Sequence, residues 1–335
     1  MRPPMSAPAG SVAILGTGSC APDRVVSNDE VGAPAGVDAE WILRKTGIRE
    51  RRWAEPHQAT SDIATGAARR ALESAGITVD QLSTIVVATS TPDQQQPATA
   101  AFVHRNLGGP GSGVAAFDVN AVCAGFVYAL DVVSALVARN GGYGLVIGAD
   151  VYSRILNPAD PKSAVLFGDG AGAAVVGPSR SGGSVLTSAF HFYSEFSDLI
   201  QVPAGGSRKP YDPAIHDAGL HYFAMDGRTA RELSNTIVPG LVKQFLHDSA
   251  VLPSEIAHVV PHQPNGVMLD DLAARLDLPA ATVHRTVGEY GNTGSASIAL
   301  TLDHAAGAGA LSRGDKILLV GLGGGVSVGL TLVEW

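Results

Sequence analysis

Cys123 is the side chain around which the chemistry of this sequence can be organised. It lies in residues 118–126, Asp-Val-Asn-Ala-Val-Cys-Ala-Gly-Phe, after an apolar run that predicts a strand and before an alanine-rich segment that predicts a helix. Unpaired backbone N–H groups and the positive end of the helix dipole meet at such a position, and both favour a thiolate over a thiol. Because the thiolate is the nucleophilic form of cysteine, we expect Cys123 to be a nucleophile. A buried structural cysteine is the alternative.

Two further polar side chains lie at comparable places in the second half of the sequence. His262 follows the apolar pair Val259-Val260, and Asn292 lies in a turn with glycines at 291 and 294. A single histidine or asparagine often has only a structural hydrogen bond, but loops beside apolar strands also present reactive groups. With a thiolate, the pair suits acyl transfer. The sulfur takes an acyl group as a thioester, and His262 and Asn292 donate hydrogen bonds to a carbonyl that becomes an enolate.

A glycine loop, Gly323–Gly325, follows the apolar segment 316–320. Its backbone can approach a substrate closely, and the N–H of Gly324 could complete an oxyanion hole with the N–H of Cys123. A tight turn without a chemical role is the alternative.

The composition limits the classes of protein to which the chain can belong. Forty glycines, 45% hydrophobic residues and 16% charged residues are typical of a tightly packed α/β enzyme. A net charge of −8 argues against a general binder of nucleic acid or of anionic membranes. The proline-rich residues 1–10 lack the apolar core of a signal peptide, and no run approaches the ~18 apolar residues of a membrane span. We therefore expect a soluble, cytoplasmic protein.

The cysteine content is low. Cys20 and Cys123 are the only two, and no CxxC motif is present. We therefore expect a reducing compartment, neither a disulfide framework nor a metal site, and an inert Cys20.

Strands and helices are predicted to alternate, which favours a layered α/β architecture. The predicted strands are 11–16, 84–89, 114–119, 144–149 and 170–177, and the predicted helices are 61–75, 97–108 and 122–139.

The second half of the sequence repeats the first at an offset of 173 residues. Residues 145–148, Leu-Val-Ile-Gly, match Leu-Leu-Val-Gly at 318–321, and the strand at 85–87 matches the apolar pair before His262. The same offset takes Cys123 to Ala296, at another small-residue helix start. We predict a duplicated α/β unit, with chance similarity of glycine-rich strands as the alternative. A Pro/Ser/Gly cluster at 178–183 then divides residues 1–180, with the cysteine, from residues 181–335, with the histidine and asparagine.

A basic cluster lies between residues 37 and 53. Its members are Arg44, Lys45, Arg49, Arg51 and Arg52. In an acidic protein such a cluster is either a solvated helix face or a binding site for a phosphorylated ligand.

Several motifs together resemble the β-ketoacyl-acyl-carrier-protein synthase III family of the thiolase fold. They cover about residues 11–335 and agree in order and spacing. They are Glu40-Trp41-Ile42, Thr46 to Arg51, Ala121 to Phe126 around Cys123, Phe167 to Ala174, Pro261-His262-Gln263, Gly291-Asn292-Thr293 and the Gly323–Gly325 loop.

The resemblance implies a homodimer of five-layered αβαβα protomers built from two duplicated halves. It implies that an acyl-coenzyme A (CoA) or an acyl-acyl-carrier-protein thioester loads Cys123, without a cofactor. A malonyl-type thioester on a carrier protein then loses CO2, and the resulting enolate attacks the acyl-cysteine. His262 and Asn292 would support the decarboxylation, and the N–H groups of Cys123 and Gly324 would hold the acyl oxygen.

The sequence departs from the family at positions that contact the substrate. Trp41 matches the aromatic side chain that stacks on the adenine of CoA, but its usual arginine partner is replaced by Pro161, beside Lys162. The basic residue for carrier docking is Val267, and the phenylalanine that closes the acyl pocket from the neighbouring subunit is Gln96. These departures favour polyketide or other specialised biosynthesis over fatty-acid initiation.

The expected substrate-binding residues are Trp41, Arg44, Lys45, Arg49, Gln96 and Lys162.

Three functions compete. A decarboxylating condensing enzyme is favoured because Asn292 is present together with His262. An acyltransferase of the same fold would pass the acyl group to a hydroxyl or amine without releasing CO2. A non-catalytic binding homologue would not be acylated on Cys123.

Overall fold

The computed structural model describes residues 11–179 and 183–335. The proline-rich residues 1–10 and part of the predicted boundary at 178–183 therefore lie outside the described residues, and the division into residues 1–180 and 181–335 stays a prediction.

The strands are β1 (Val12–Cys20), β2 (Val25–Ser27), β3 (Glu50–Arg52), β4 (Leu82–Ala88), β5 (Ala115–Val119), β6 (Tyr143–Asp150), β7 (Gly170–Pro178), β8 (Ser184–Phe192), β9 (Ile200–Gln201), β10 (Ala224–Met225), β11 (Ile256–Pro261), β12 (Thr282–Val283), β13 (Lys316–Gly323) and β14 (Ser327–Glu334). The helices are α1 (Asn28–Ala35), α2 (Ala39–Thr46), α3 (Thr60–Ala75), α4 (Thr99–Asn106), α5 (Gly125–Asn140), α6 (Pro213–Asp217), α7 (Gly227–Asp248), α8 (Gly266–Arg275), α9 (Val287–Tyr290) and α10 (Ala296–Gly307).

Two five-stranded sheets share one topology. The first has the order β1-β7-β6-β4-β5, and the second, followed from its opposite edge, has the order β8-β14-β13-β11-β12. In each sheet the first two pairings are antiparallel and the last two are parallel. The chain is therefore a duplicated unit, as predicted.

The offset of 173 holds for one of the two matched strand pairs. Val146 of β6 and Leu319 of β13 both pack in the central apolar cluster between the sheets. Val86 of β4 packs there too, but its counterpart on that face is Val260, because Val259 packs on the outer face of the second sheet. Side chains alternate between the faces of a strand, so a shift of one residue exchanges the faces. The offset for β4 and β11 is thus one residue longer than predicted.

Three apolar clusters define five layers. Helices α3 and α4 cover the outer face of the first sheet. Helices α5 and α10 lie between the two sheets. Helices α7 and α8 cover the outer face of the second sheet. The order is therefore helix, sheet, helix, sheet, helix, which buries both faces of each sheet.

The central helix α5 lies in a long, mostly apolar segment. Residues Val122–Asn140 are long and apolar enough to cross a membrane. They are apolar because α5 is packed between the two sheets, where Phe126, Leu130 and Val133 are fully buried. Asp131 and Arg139 interrupt the segment, so no uninterrupted run approaches ~18 apolar residues, and burial between the sheets accounts for its composition.

The start of α4 differs from the prediction for a local reason. The sequence predicted that α4 begins at Pro97, but the helix begins at Thr99. The carboxylate of Asp118 accepts hydrogen bonds from the N–H groups of Thr99 and Ala100 at 2.6 and 2.8 Å. A side chain from the end of β5 therefore caps the helix, which fixes the segment before Cys123 against α4.

Candidate active site

Cys123 lies in a 3-10 turn, residues 122–124, between β5 and α5. The residue before it, Val122, has a φ of +49°, which is rare for a β-branched side chain. The Asn120 side-chain oxygen accepts a hydrogen bond from the Val122 N–H at 3.0 Å and holds this conformation. The turn thus sets the sulfur at the start of the central helix, as the sequence predicted.

The pKa of the Cys123 thiol is raised, whereas the sequence predicted a thiolate. Burial, followed by the negative charge of Asp150, raises the pKa of the Cys123 thiol to about 12. A hydrogen bond from the Tyr152 hydroxyl and the backbone N–H of Cys123 act in the opposite direction, but they are weaker. The loss of water around the sulfur outweighs the helix dipole, so the resting group is a thiol at neutral pH.

Sequence reasoning missed a buried polar network beside the sulfur. The Tyr152 hydroxyl lies 2.9 Å from the Ser90 hydroxyl, which is 3.1 Å from the carboxylate of Asp150. Asp150 is fully buried and also accepts hydrogen bonds from the N–H groups of Thr91 and Ser295. Burial raises the pKa of Asp150, and these hydrogen bonds oppose the shift. An acidic residue at the end of the apolar segment 145–149 was the signal that could have revealed it.

The glycine loop packs directly against the turn that contains Cys123. A Cβ atom on Gly323 would lie 2.5 Å from the backbone oxygen of Ala121, and one on Gly321 would lie 3.1 Å from the Cα of Ala124. The end of β13 therefore approaches this turn more closely than a side chain would allow. Gly324 is the next residue of the same loop and packs against Ile200, and the role of its N–H as a donor stays a prediction.

His262 follows β11 and is held beside the same strand. Its backbone N–H donates to the Val320 oxygen of β13 at 2.7 Å. Its Nδ1 lies 2.8 Å from the Ser297 hydroxyl. Burial lowers the pKa of His262 to about 3, so the ring is neutral at physiological pH.

Asn292 is fixed by its backbone and by its side chain. Its backbone N–H donates to Leu166 at 2.8 Å, and its carbonyl accepts from Gly168 at 3.0 Å. The side-chain oxygen accepts from the Gly294 N–H at 3.0 Å. Within residues 11–179 and 183–335 the side-chain NH2 has no hydrogen-bond partner, so it is available as a donor.

The three predicted catalytic residues converge from both halves. A Cβ on Gly294 would lie 2.5 Å from the ring of Tyr152, a residue that influences the pKa of Cys123. Ser297, three residues further on, contacts His262. The starts of α5 and α10 also meet, because a Cβ on Gly125 would lie 3.5 Å from the Cβ of Ser295. The segments that carry the thiol and the two proposed donors are therefore in contact, and their joint catalytic role stays a prediction.

The predicted substrate-binding residues on α2 lie beside the site but towards solvent. Trp41 is partly buried against the apolar cluster that includes Tyr152, whereas Arg44 and Lys45 are exposed. Arg44 forms an ion pair with Glu40 at 3.5 Å. The residue after α2, Gly47, packs against Gly266 just beyond His262, with its Cβ position 3.2 Å from the Gly266 Cα.

The remaining cations of the basic cluster have different surroundings. Arg49 is exposed and pairs with Glu289 at 3.2 Å, shortly before Asn292. Arg51 is fully buried and donates to the Asn28 side-chain oxygen at 2.8 Å and to the Val165 oxygen at 2.7 Å. Arg51 therefore fits neither a solvated face nor a phosphate site. It fixes the segment that pairs with Asn292.

Gln96 and Lys162 are both exposed on loops. Gln96 precedes α4, and Lys162 donates its backbone N–H to Asp160 at 3.0 Å. Their contacts with substrate, like those of Trp41, Arg44, Lys45 and Arg49, stay predictions.

Cys20 lies away from this site, at the end of β1 against α3. Burial raises the pKa of its thiol. In the described part of the chain no group of three or more His, Cys, Asp or Glu side chains is arranged to hold a metal ion.

Known proteins are similar to this chain in sequence and in fold. The 3-oxoacyl-acyl-carrier-protein (ACP) synthase III family matches residues 117–194, and its C-terminal part matches residues 246–335. Acetoacetyl CoA synthase NphT7 of Streptomyces sp. (strain CL190) is 58% identical over 324 residues, which cover 96% of this chain and 98% of the relative. β-Ketoacyl-acyl-carrier-protein synthase III of Rhodopirellula baltica is 41% identical over 344 residues, which cover 97% and 98%.

Solved structures of related enzymes have the same fold. The synthase III of Aquifex aeolicus VF5 superposes with a TM-score of 0.87 at 33% identity, over 97% of this chain and 100% of that chain. The priming β-ketosynthase of the R1128 polyketide pathway superposes with a TM-score of 0.89 at 32% identity, over 100% and 98%. The predicted family and fold are confirmed. The chain belongs to the 3-oxoacyl-acyl-carrier-protein synthase III family of thiolase-fold condensing enzymes, which are acyltransferases.

Proposed function

We propose that Cys123 carries the acyl group and that Asn292 and His262 support the loss of CO2 from a malonyl thioester. In the first step the sulfur of Cys123 bonds to the acyl carbon, the acyl-thioester bond breaks, and the thiol proton leaves with the departing thiol. In the second step the malonyl unit loses CO2, and the electron pair of the broken C–C bond forms an enolate. The enolate carbon bonds to the acyl carbon, and the sulfur of Cys123 leaves and takes up a proton from solvent.

The observation that carries this function is the state of the Asn292 side chain. Its oxygen is occupied by the Gly294 N–H, while its NH2 group has no partner among the described residues. A fixed neutral donor of this kind stabilises negative charge on the thioester oxygen without reorganisation during the reaction. Simple acyl transfer to a hydroxyl or amine creates no enolate and needs no such donor opposite the cysteine.

We propose that both thioesters are CoA thioesters and that the product is acetoacetyl-CoA. The relative that is 58% identical is called an acetoacetyl CoA synthase. Val267, on α8 just after His262, replaces the family's basic residue for carrier docking and is partly buried. The test compares malonyl-CoA with malonyl-ACP as extender, and a faster reaction with malonyl-ACP would contradict the proposal.

We further propose a cytoplasmic homodimer. β5 is the edge strand of the first sheet, and its residues are exposed or only partly buried. The family motif around Cys123 follows this strand directly. A second copy could pair along this edge and bring its Gln96 loop to the acyl pocket. Light scattering of the purified protein should give twice the mass of one chain, and a monomer would contradict this part.

The central experiment separates decarboxylation from acylation. Asn292→Ala should still form the acyl-cysteine but release CO2 from malonyl-CoA ~100-fold to ~1,000-fold more slowly, the usual effect of losing one such donor. Single-turnover CO2 release is measured beside the intact mass of the protein. Asn235→Ala, on the outer helix α7, is the matched control and should keep the wild-type rate.

An acyltransferase on the same fold is the second function. It becomes the better account if the wild-type protein forms the acyl-cysteine but releases no CO2 from either malonyl thioester.

A further inference from the structure

Ser297, the second residue of α10, is in hydrogen-bond contact with His262. Its hydroxyl lies 2.8 Å from Nδ1 of His262, and both residues are buried, Ser297 completely. The other ring nitrogen, Nε2, has no hydrogen-bond partner among residues 11–179 and 183–335, although the His262 backbone is paired with β13.

The position of one proton follows from counting donors and acceptors. A serine hydroxyl carries one hydrogen, and within the described chain His262 is the only hydrogen-bond partner of the Ser297 side chain. If Nδ1 carried the proton and donated it to Ser297, the hydroxyl hydrogen would be buried without an acceptor, which is unfavourable. Donation from the hydroxyl to Nδ1 satisfies both groups. Because the ring is neutral, its single proton then lies on Nε2.

We propose that Ser297 is a positioning residue that fixes the tautomer of His262, so that Nε2–H faces the thioester oxygen as a hydrogen-bond donor. The inference rests on the proposed decarboxylation, in which His262 acts as a donor.

The side chain of Asn292, the other proposed donor, is oriented in the same way. The Gly294 N–H occupies the side-chain oxygen of Asn292 at 3.0 Å, which leaves the NH2 group as the free end of the amide. The Ser297 hydroxyl occupies the acceptor nitrogen of His262. The single segment 292–297 therefore removes the acceptor atom of each side chain from the site and leaves two donors for the developing negative charge.

The geometry also keeps this segment in place. Gly294 has a φ of +57°, and a Cβ there would lie 2.4 Å from the carboxylate of Asp150. Ser295, between Gly294 and Ser297, donates its N–H to Asp150 at 2.7 Å and its hydroxyl to Ala88 at 2.7 Å. These contacts fix the start of α10, from which Ser297 projects. A hydroxyl that selects one histidine tautomer must be held in place in this way.

The first test observes the tautomer in the wild-type protein. Nitrogen-15 NMR of protein labelled on its histidine rings distinguishes protonated from bare ring nitrogens. The His262 signals are assigned by their loss in His262→Ala. We expect a protonated Nε2 and a bare Nδ1 at pH 7. A protonated Nδ1 would overturn the inference, whatever reaction the enzyme catalyses.

The second test is kinetic. Ser297→Ala should slow CO2 release from malonyl-CoA about tenfold, the scale of one neutral hydrogen bond, with acyl-cysteine formation changed less than twofold. Its NMR spectrum should show both tautomers of His262. Thr301→Val is the matched control, because it removes a buried hydroxyl of the same helix that bonds Thr286 at 2.7 Å and not His262.

The outcomes separate the inference from the proposed function. If the wild-type protein releases CO2 and Ser297→Ala is equally fast, the positioning role is wrong and the condensation stands. If the wild-type protein never releases CO2, the proposed function is wrong, and the NMR result still decides the tautomer. If Ser297→Ala and Thr301→Val slow both steps equally, the effect of Ser297 is structural and the positioning role is again wrong.

Discussion

The two central helices begin in equivalent places but in different ways. In the first half, β5 leads to α5 through residues 120–124, a short turn with Val122 in a left-handed conformation and Cys123 at its centre. In the second half, β12 leads to α10 through residues 284–295, which include α9 and Asn292. One connection presents a single reactive atom, and the other has room for a segment that orients hydrogen-bond donors.

Burial shifts the pKa values of Cys123 and His262 in opposite directions. Burial raises the pKa of Cys123 and lowers the pKa of His262, so each group is neutral at rest. In the proposed decarboxylation the negative charge then develops on the substrate, opposite the proposed donors His262 and Asn292. Duplication supplied the same frame twice, and the longer connection in the second copy allowed a separate set of chemical groups to develop.

Removing the reactive atom of the first connection has the largest expected effect. Cys123→Ala should abolish the acyl adduct and reduce turnover by at least ~10⁴-fold, because the other cysteine, Cys20, lies away from the site. Intact-mass analysis after incubation with acetyl-CoA measures the adduct. Cys20→Ala is the matched control and should load fully, and an adduct on Cys123→Ala would place the nucleophile elsewhere.

A smaller effect tests His262, which contacts Ser297 at the start of α10, through the pH dependence of stability. The folded-state pKa of His262, about 3, lies below its unfolded value of about 6.5. The unfolded chain therefore binds one proton more as the pH falls from 6.5 towards 3, and the free energy of unfolding decreases over that range. Between pH 7 and pH 5 the wild-type protein should lose about 2 kcal/mol more than His262→Gln, which has no proton to bind.

Urea unfolding of both proteins at the two pH values, at one protein concentration, measures this difference. Equal losses would mean that His262 protonates as readily in the folded protein as in water. The electrostatic contrast between Cys123 and His262 would then be lost.

The smallest expected effect concerns the exposed cations beside the site. Arg44→Glu combined with Arg49→Glu should raise the apparent KM for acetyl-CoA about fivefold, the scale of two exposed ion pairs, and leave the chemical step nearly unchanged. The salt dependence of KM should weaken, because attraction between surface charges is screened over about 10 Å at 0.1 M salt.

The matched control reverses two exposed arginines away from the site, Arg139 at the end of α5 and Arg313 before β13. If both double variants change KM equally, net charge alone is responsible. If neither changes it, Arg44 and Arg49 belong to a solvated face, the alternative interpretation of the basic cluster.

Much of the architecture was predictable because it depends on local patterns. Apolar segments such as 145–148 and 318–321 identify strands, and their repetition identifies the duplication. The family motifs around Cys123, His262 and Asn292 identify a condensing enzyme. The exact offset between β4 and β11 was not predictable, since one residue of shift changes the buried face without changing the apolar composition.

The amino-acid sequence by itself determined the types of the reactive side chains, their order and the frame that carries them. Only the tertiary structure decided their chemical state. Cys123 is a buried thiol and not a thiolate because Asp150 and apolar atoms replace water around it. Arg51 has a structural role because it is enclosed by segments distant in the sequence. Ser297 contacts one ring nitrogen of His262, and the Gly294 N–H occupies the side-chain oxygen of Asn292. Such properties depend on desolvation and on single hydrogen bonds between elements, and neither leaves a periodic pattern in the sequence.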